Sequence, residues 1–430
     1  MRNVIGGAVA ALLIAGCGAS SGVRAARSGD RTAVAAYVAP LHQKGRLTGD
    51  EAARLARATL EHELSDAKGD EAAERITDAR PCAYELSGAL AARMKVHDDA
   101  GAAAAMALYE AGSLSGAAAR ESAADALAAW RSVGARALVR SADGDLRRTL
   151  LTDGSAIVRR AAMRASGDAG DARDLPALLS AARLDPELVA RSAAVRAIAR
   201  IGAADDSLAN ALRDLWVSAD EALREDLASA YASPSIERRG GAEALRALVA
   251  SGHGPGDLTA AAALLRRGAA GDARSLAIGL LSRTIDAASR RHRSLAIAVA
   301  PLDVADLFEA VLRASKQESD TDVRISALAR LLEVPASRAA AILELEALAQ
   351  PGDAIAFARR ARAALAGAGQ LSVQAWLEAD LGSDDASVRL GAADSLAALG
   401  RAERAARLLS DADVRVRSRA ACTMLLAARR

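Results

Sequence analysis

Apolar residues recur at helical spacing between Asp385 and Gly400. Val388, Ala392 and Leu396 fall at helical spacing, so one stripe of the predicted helix is apolar and smooth with alanine. Asp385 directly precedes the run, where a carboxylate caps free amides and meets the positive end of the helix dipole. Gly400 follows it, as is typical of a helix that ends in the left-handed conformation. The pattern predicts an amphipathic helix that must bury its apolar stripe against neighbouring helices.

The same pattern recurs along the chain, with an arginine one residue after the position of Val388. Copies are anchored at Arg159, Arg191, Arg224, Arg324, Arg389 and Arg417. The first two gaps are 32 and 33 residues, and the gaps of 100 and 65 residues correspond to three and two such periods. Periods in this range indicate stacked supersecondary units. An apolar run at 175–179, between two copies, predicts a second helix in each unit.

Four of the copies also carry an aspartate four residues before the arginine. These pairs are Asp220 with Arg224, Asp320 with Arg324, Asp385 with Arg389, and Asp413 with Arg417. Weaker copies, without the valine–arginine pair, are anchored near Asp257, Arg291 and Phe357.

The units DASVRLGAADSLAALG and LVARSAAVRAIARIG resemble HEAT repeats, in particular the short HEAT-like type first named in phycobilin lyases. The resemblance covers residues 141–430. It implies an all-α fold, a right-handed α-solenoid of stacked antiparallel helix pairs. It also implies that the aspartate and arginine positions of the four pairs form a ladder between units.

The N-terminus has the pattern of a secretory signal. Arg2 precedes a short apolar run that ends in Ile14-Ala15-Gly16-Cys17, and the run is too short for an ordinary membrane span. This ending resembles the lipobox of bacterial lipoproteins, which implies cleavage before Cys17 and lipidation of Cys17. The residue after the cysteine is Gly18 rather than aspartate, so the resemblance favours the outer membrane, facing the periplasm. The alternative is a plain signal peptide with an incidental cysteine.

The sequence divides into four predicted regions. Residues 1–16 form the signal peptide, and the small, polar residues 17–30 form a flexible tether. Residues 31–140 form an irregular helical region or cap, with a separate small helical domain as the alternative, and residues 141–430 form the repeat array.

Composition supports helices and gives no reason to expect a polyanionic partner. Hydrophobic residues make up 52% of the chain, mostly alanine and leucine, and aromatic residues only 2%. The net charge is +2, from 56 basic and 54 acidic residues, so we expect no nucleic acid. The most basic run is Arg290–Arg293, and it is interpreted as a solvated face or a site for an acidic partner or anionic lipid.

The cysteines and histidines suggest no reactive centre. Cys82 and Cys422 lie near opposite ends of an array that would span roughly 80–90 Å at ordinary helix spacing, so we predict that they do not pair. The histidines lack metal-ligand spacing; they are His42, His62, His97, His253 and His292. His62 is placed on an exposed helix face. The sequence therefore predicts no catalytic residue, no metal, no cofactor and no enzymatic activity.

Together these patterns favour a membrane-anchored scaffold for protein–protein interaction in the cell envelope. Its partners would be an envelope protein and, through lipid on Cys17, the membrane. The alternatives are a HEAT-like enzyme or lyase subunit that depends on a metal or cofactor, and a purely structural spacer.

Overall fold

The computed structural model describes residues 20–202, 207–236, 240–251, 254–287, 289–352 and 355–429. Within these ranges every regular element is a helix, and most neighbouring helices pack as antiparallel pairs. The predicted all-α solenoid of stacked helix pairs is therefore confirmed. No helix in the described ranges combines the length and apolar character needed to cross a bilayer. The signal segment and Cys17 lie outside the described residues.

The described chain forms two compact units, which we call unit 1 and unit 2. Unit 1 combines residues 20–111 with residues 369–429, and unit 2 comprises residues 112–368. These units follow neither of the sequence boundaries expected at residues 30 and 140, because the first helices pack with the last ones.

Unit 1 contains nine α-helices in its described residues. They are α1 (Ser21–Arg27), α2 (Arg31–Gln43), α3 (Gly49–Asp66), α4 (Gly69–Ala79), α5 (Ser87–Met94), α6 (Asp99–Glu110), α24 (Gln374–Asp380), α25 (Ala386–Ala398) and α26 (Val414–Ala427). The 3₁₀ segments of this unit cover Arg80–Leu86, Leu371–Val373 and Ala402–Ser410.

Unit 2 contains the helices between them in the chain. They are α7 (Gly116–Arg120), α8 (Ala128–Arg136), α9 (Gly144–Leu150), α10 (Ala156–Ala169), α11 (Leu175–Leu184), α12 (Leu188–Ile201), α13 (Ser207–Ser218), α14 (Glu221–Tyr231), α15 (Pro234–Ile236), α16 (Ala242–Ser251), α17 (Pro255–Arg266), α18 (Gly271–Ala287), α19 (Arg290–Val299), α20 (Ala305–Gln317), α21 (Thr321–Leu331), α22 (Pro335–Leu348) and α23 (Ile355–Gly367). The 3₁₀ segments are Glu121–Ala124, Ser141–Asp143 and Ala172–Asp174.

Signature helices of successive repeats pack directly on one another in unit 2. Helix α10 lies between α8 and α12, and α12 packs on α14. Their shared faces are small and apolar, so the backbones approach closely; Ala162, Ala194 and Ile198 are fully buried there. This side-by-side packing positions the side chains of the ladder and groove of unit 2 described below.

The N-terminal helices of unit 1 cover the last repeat of the chain. Helix α3 packs along α26, in the way that α12 packs along α10, and α4 packs on the same helix. The first and last parts of the described chain therefore pack together, and the apolar flank of the last repeat is buried rather than exposed.

The prediction that Cys82 and Cys422 do not pair is wrong. The two residues form a disulfide across 340 positions of sequence, with Cα atoms 5.5 Å apart. The prediction assumed that the N-terminal region lies at the far end of a linear array. In the structure the 3₁₀ segment containing Cys82 packs on α26, which carries Cys422, because both belong to unit 1.

The segment expected to be a flexible tether is helical over most of its described part. Ser20 accepts a hydrogen bond from the Val23 amide and caps α1, and Val23, Ala25 and Ala26 are buried. Helix α1 packs on α2 and α3. The small residues suggested a mobile linker, but they are also the residues that let a short helix lie close to its neighbours.

Candidate functional site: an arginine ladder and an arginine-lined groove

Each signature helix of the first repeats holds an arginine in a fixed geometry. The Nη1 atom of Arg159 donates to the backbone carbonyls of Asp153 and Gly154, at 2.9 and 3.3 Å. Its Nε and Nη2 atoms donate to the two carboxylate oxygens of Asp185, at 2.7 and 2.9 Å. One guanidinium thus fixes the loop before its own helix and binds the loop of the following repeat with two parallel hydrogen bonds.

The neighbouring repeats show the same arrangement. Arg131 donates to the carbonyl of Asp125 and binds Asp153 at 3.0 Å, while Arg191 donates to the carbonyl of Asp185 and binds Asp220 at 3.0 Å. Asp153 and Asp185 therefore each bind two arginines. The side-chain carboxylate binds the arginine of the preceding repeat, and the backbone carbonyl accepts from the arginine of the same repeat. The result is a continuous ladder from α8 through α10 and α12 to Asp220, which caps α14.

The ladder carboxylates are held in their charged form. Burial disfavours ionisation of Asp185, but the hydrogen bonds from Arg159 and from the Glu187 amide outweigh it and lower the pKa of that carboxyl. The pKa of Asp153 is lowered in the same way, against burial, by Arg131 and the Ser155 amide. Both carboxyl groups therefore stay ionised at pH values below the range in which an aspartate usually takes up its proton.

The aspartates predicted for the ladder serve chiefly as helix caps. Asp220, Asp320, Asp385 and Asp413 are the N-caps of α14, α21, α25 and α26, and each accepts hydrogen bonds from amides of the first turn. The structure does not pair any of them with the arginine four residues later. Asp220 also binds Arg191, and Asp320 also binds Arg290 at 3.2 Å.

The predicted arginines bind other partners. Arg389 binds Asp411 at 3.0 Å, Arg324 pairs with Glu344 and donates to the Ser315 carbonyl, and Arg224 lies over the ring of Trp216 at 5.8 Å. The ladder aspartates stand six residues before the arginine, not four. They are Asp125, Asp153, Asp185 and Asp411, and this Asp-x5-Arg spacing is visible in the sequence.

The last ladder arginine binds the N-terminal part of unit 1. Arg417 donates to the carbonyl of Asp411 at 2.7 Å, and its Nε atom donates to Glu63 of α3 at 2.6 Å. Glu63 is only 5% exposed and also binds Arg75 at 2.9 Å. The prediction of a solvated helix face around His62 is wrong at Glu63, which takes the place of the next repeat's aspartate.

A second ionic contact ties the same parts of unit 1 together. Arg404 donates two hydrogen bonds to Glu378, at 2.7 and 2.8 Å, and a third to the carbonyl of His42 at 3.2 Å. The hydrogen bonds from Arg404 lower the pKa of Glu378, and burial lowers the pKa of His42. The closure of unit 1 therefore combines a disulfide with buried or half-buried ion pairs.

A groove of about 410 Å³ runs across the signature helices α8, α10 and α12 of unit 2. Its lining holds five arginines and, among the described residues, no carboxylate. The lining residues are Arg136, Arg160, Arg164, Leu188, Val189, Ser192, Ala193, Arg196, Ala197 and Arg200.

Three of these arginines form a row across the helices. Arg136, Arg164 and Arg196 each follow a ladder arginine by five residues, so they occupy equivalent positions on α8, α10 and α12. Since each ladder arginine is fixed to the loops, it also sets the register of this row.

Two aspartates position several of the groove arginines without lining the groove. Asp168 binds Arg136 at 2.6 Å and Arg200 at 2.5 Å, and Asp226 binds Arg196 at 2.7 Å. The side chains of Arg196 and Arg200 nevertheless remain more than 60% exposed. The groove can therefore offer exposed guanidinium groups, which bind planar anions through paired hydrogen bonds.

The basic run singled out in the sequence is largely neutralised in the structure. Arg290 binds Asp320 and Asp322, Arg291 binds Glu221, and Arg293 binds Glu318 at 3.0 Å.

The histidines do not form a metal site in the part of the chain that is described. No cluster of three or more histidine, cysteine, aspartate or glutamate side chains is placed to hold a metal ion there. His253 lies outside the described residues.

Comparisons with known proteins show fold similarity only. No family model matches the sequence, and no curated protein matches it. The architecture defines the class of the chain, which is a helical-repeat protein with HEAT-like units.

The solved structures that resemble the chain at low identity include the following three. The complex of CpcE and CpcF of phycocyanin lyase from Nostoc sp. PCC7120 is 19% identical, over 55% of this chain and 95% of that chain, with a TM-score of 0.33. An engineered protein is 19% identical over 79% and 98%, with a TM-score of 0.28. UNC-45 from Drosophila melanogaster is 12% identical over 89% and 72%, with a TM-score of 0.31.

The prediction of no enzymatic activity needs correction. One of the similar structures belongs to a phycocyanin lyase, so a chain that resembles this one occurs in an enzyme, and the repeats alone do not exclude such a role. At a TM-score of 0.33 the similarity assigns no activity to this chain.

Proposed function

We propose that this protein is a membrane-tethered scaffold that binds a protein partner in the cell envelope. The observation that carries the proposal is the groove on unit 2, where an apolar strip and exposed arginines lie on a surface held rigid by the ladder. Grooves that combine apolar surface with a few placed polar groups are typical binding sites. The ladder keeps those groups in register before a partner arrives, which reduces the entropy that binding costs.

The disulfide supports export of the chain. Disulfides form and persist in oxidising compartments such as the bacterial periplasm, and they are rare in the cytosol. The Cys82–Cys422 bond agrees in this respect with a signal sequence that ends at Cys17. The proposal therefore places the folded chain outside the cytoplasm, on the periplasmic face of the outer membrane.

The tether in this proposal is short. Only Gly18 and Ala19 separate Cys17 from Ser20, the residue that caps α1, and two extended residues span roughly 7 Å. A lipid on Cys17 would thus hold unit 1 directly against the bilayer surface.

Replacement of the anchor tests this proposal. We expect Cys17→Ser, placed behind an ordinary signal peptide, to move the protein from the membrane fraction to the soluble periplasmic fraction. Chemical crosslinking in intact cells should recover a defined envelope protein with the parent and less of it with the variant, because tethering raises the local concentration. Membrane association that is unchanged in the variant, or no specific protein with either form, would contradict the proposal.

A further inference from the structure

We infer that the groove on unit 2 binds an acidic segment of a protein, with its carboxylates on the arginines of α8, α10 and α12. This inference rests on the proposed function and names the chemical class of the partner.

The charge of the groove is one-sided. Five guanidinium groups line it, and two aspartates pair with three of them: Asp226 with Arg196, and Asp168 with both Arg136 and Arg200. Among the described residues none pairs with the guanidinium of Arg160, which is half-buried at the groove wall. Charge complementarity therefore favours an anionic occupant.

The spacing of the arginines sets the spacing of the anions. Arg136, Arg164 and Arg196 stand on three adjacent helices, and packed helices lie about 8–10 Å apart. Every third residue of an extended chain repeats at roughly 10 Å. A segment that crosses the helices with an acidic residue at every third position would therefore meet one arginine of the row at each step.

The apolar strip favours a protein over other anions. Leu188, Val189, Ala193 and Ala197 lie along α12 between the arginines, and Val189 is 57% exposed. A peptide can place apolar side chains on this strip between its carboxylates, whereas a nucleic acid backbone or a lipid headgroup layer presents phosphates at every position. The overall balance of 56 basic and 54 acidic residues also lacks the excess of positive charge typical of nucleic acid binding.

Binding of a labelled peptide of Glu-Ala-Leu repeats to the full chain tests the inference. We expect the double variant Arg164→Glu with Arg196→Glu to weaken binding by about tenfold or more, because two charge-assisted contacts become repulsive. Both arginines are exposed, so the variant should fold. The matched control is Arg246→Glu, an exposed arginine of α16 outside the groove, which should bind as the parent does.

Charge reversal supplies a second readout. The double variant should bind a Lys-Ala-Leu repeat peptide more tightly than the parent does. The inference is overturned if the parent binds both peptides equally, if the groove variant binds like the Arg246→Glu control, or if a single-stranded oligonucleotide of equal charge outcompetes the glutamate peptide. These outcomes leave the proposed function separately testable, because recovery of an envelope partner in cells does not depend on the partner being acidic.

Discussion

Loss of the Cys82–Cys422 disulfide is expected to lower the free energy of unfolding of unit 1 by about 3–5 kcal/mol. The bond closes a loop of 340 residues, and the stabilisation from a cross-link increases with the length of the loop that it closes. Both cysteines are buried, at 0% and 4% exposure, so the bond is also part of the packed core. Unit 1 is built from the two ends of the chain, and without the bond the covalent link between its halves runs only through the whole of unit 2.

Urea unfolding with and without a reducing agent measures this effect. Trp376 is the tryptophan of unit 1, so its fluorescence in a variant that retains only this tryptophan follows that unit. We expect the reducing agent to shift the unit 1 transition to lower urea. The double variant Cys82→Ala with Cys422→Ala is the control, since it should unfold at the shifted midpoint whether or not the reducing agent is present. A parent whose midpoint is insensitive to reduction would contradict the prediction.

Replacement of Asp174 by asparagine is expected to destabilise unit 2 by about 3–5 kcal/mol. The Nε atom of Arg147 donates to Asp174 at 2.6 Å, and both side chains are fully buried. Arg148 donates to the other carboxylate oxygen at 2.9 Å. Removing the carboxylate charge leaves the buried guanidinium of Arg147 with only the more distant carboxylate of Asp171, at 3.4 Å, and this costs more than losing an exposed ion pair.

The contrast with Asp145 makes the measurement specific. Asp145 also pairs with Arg148, at 2.5 Å, but its side chain is fully exposed to solvent. Asp145→Asn should therefore leave the unfolding midpoint unchanged. Trp130 and Trp216 belong to unit 2, and their fluorescence follows its unfolding in urea. If the two variants unfold at the same urea concentration, the buried Arg147–Asp174 pair does not contribute the predicted free energy of unfolding, and the prediction is wrong.

The repeat fold could be predicted because it depends on local patterns. An N-cap such as Asp385, an apolar stripe and a terminal glycine such as Gly400 recur in one order, and each acts within a single helix. The positive φ of Gly400 and the amide bound by Asp385 are the features that the sequence pattern required. The ladder could be predicted only in part, because a ladder aspartate can stand two residues before a cap aspartate, as Asp411 stands before Asp413, and Asp220 serves in both roles.

The packing of the N-terminal helices of unit 1 on the last repeat could not be predicted from local sequence patterns. Nothing around Glu63 distinguishes it from a solvated glutamate on an amphipathic helix, and only the packing of α3 on α26 buries it beside Arg417. The disulfide depends on the same packing. Contacts between residues 340 positions apart have no signal in a single sequence.

The groove was hidden by the spacing of its arginines. Residues 290–293 form a contiguous basic run and attract attention, yet Arg290, Arg291 and Arg293 each pair with a carboxylate of unit 2. Arg136, Arg164 and Arg196 are separated by 28 and 32 residues, and each stands alone in its own helix. They form a surface only because the repeats stack in register.

The central claim is that a protein partner occupies the groove of unit 2, and photo-crosslinking from within the groove tests it most directly. A photoreactive amino acid at Val189, which lines the groove and is 57% exposed, should crosslink a specific envelope protein in intact cells. The same probe at Leu184, which is 76% exposed on α11 outside the groove, is the matched control and should not. Crosslinking of that protein at Leu184 as strongly as at Val189, or at neither position, would contradict the account.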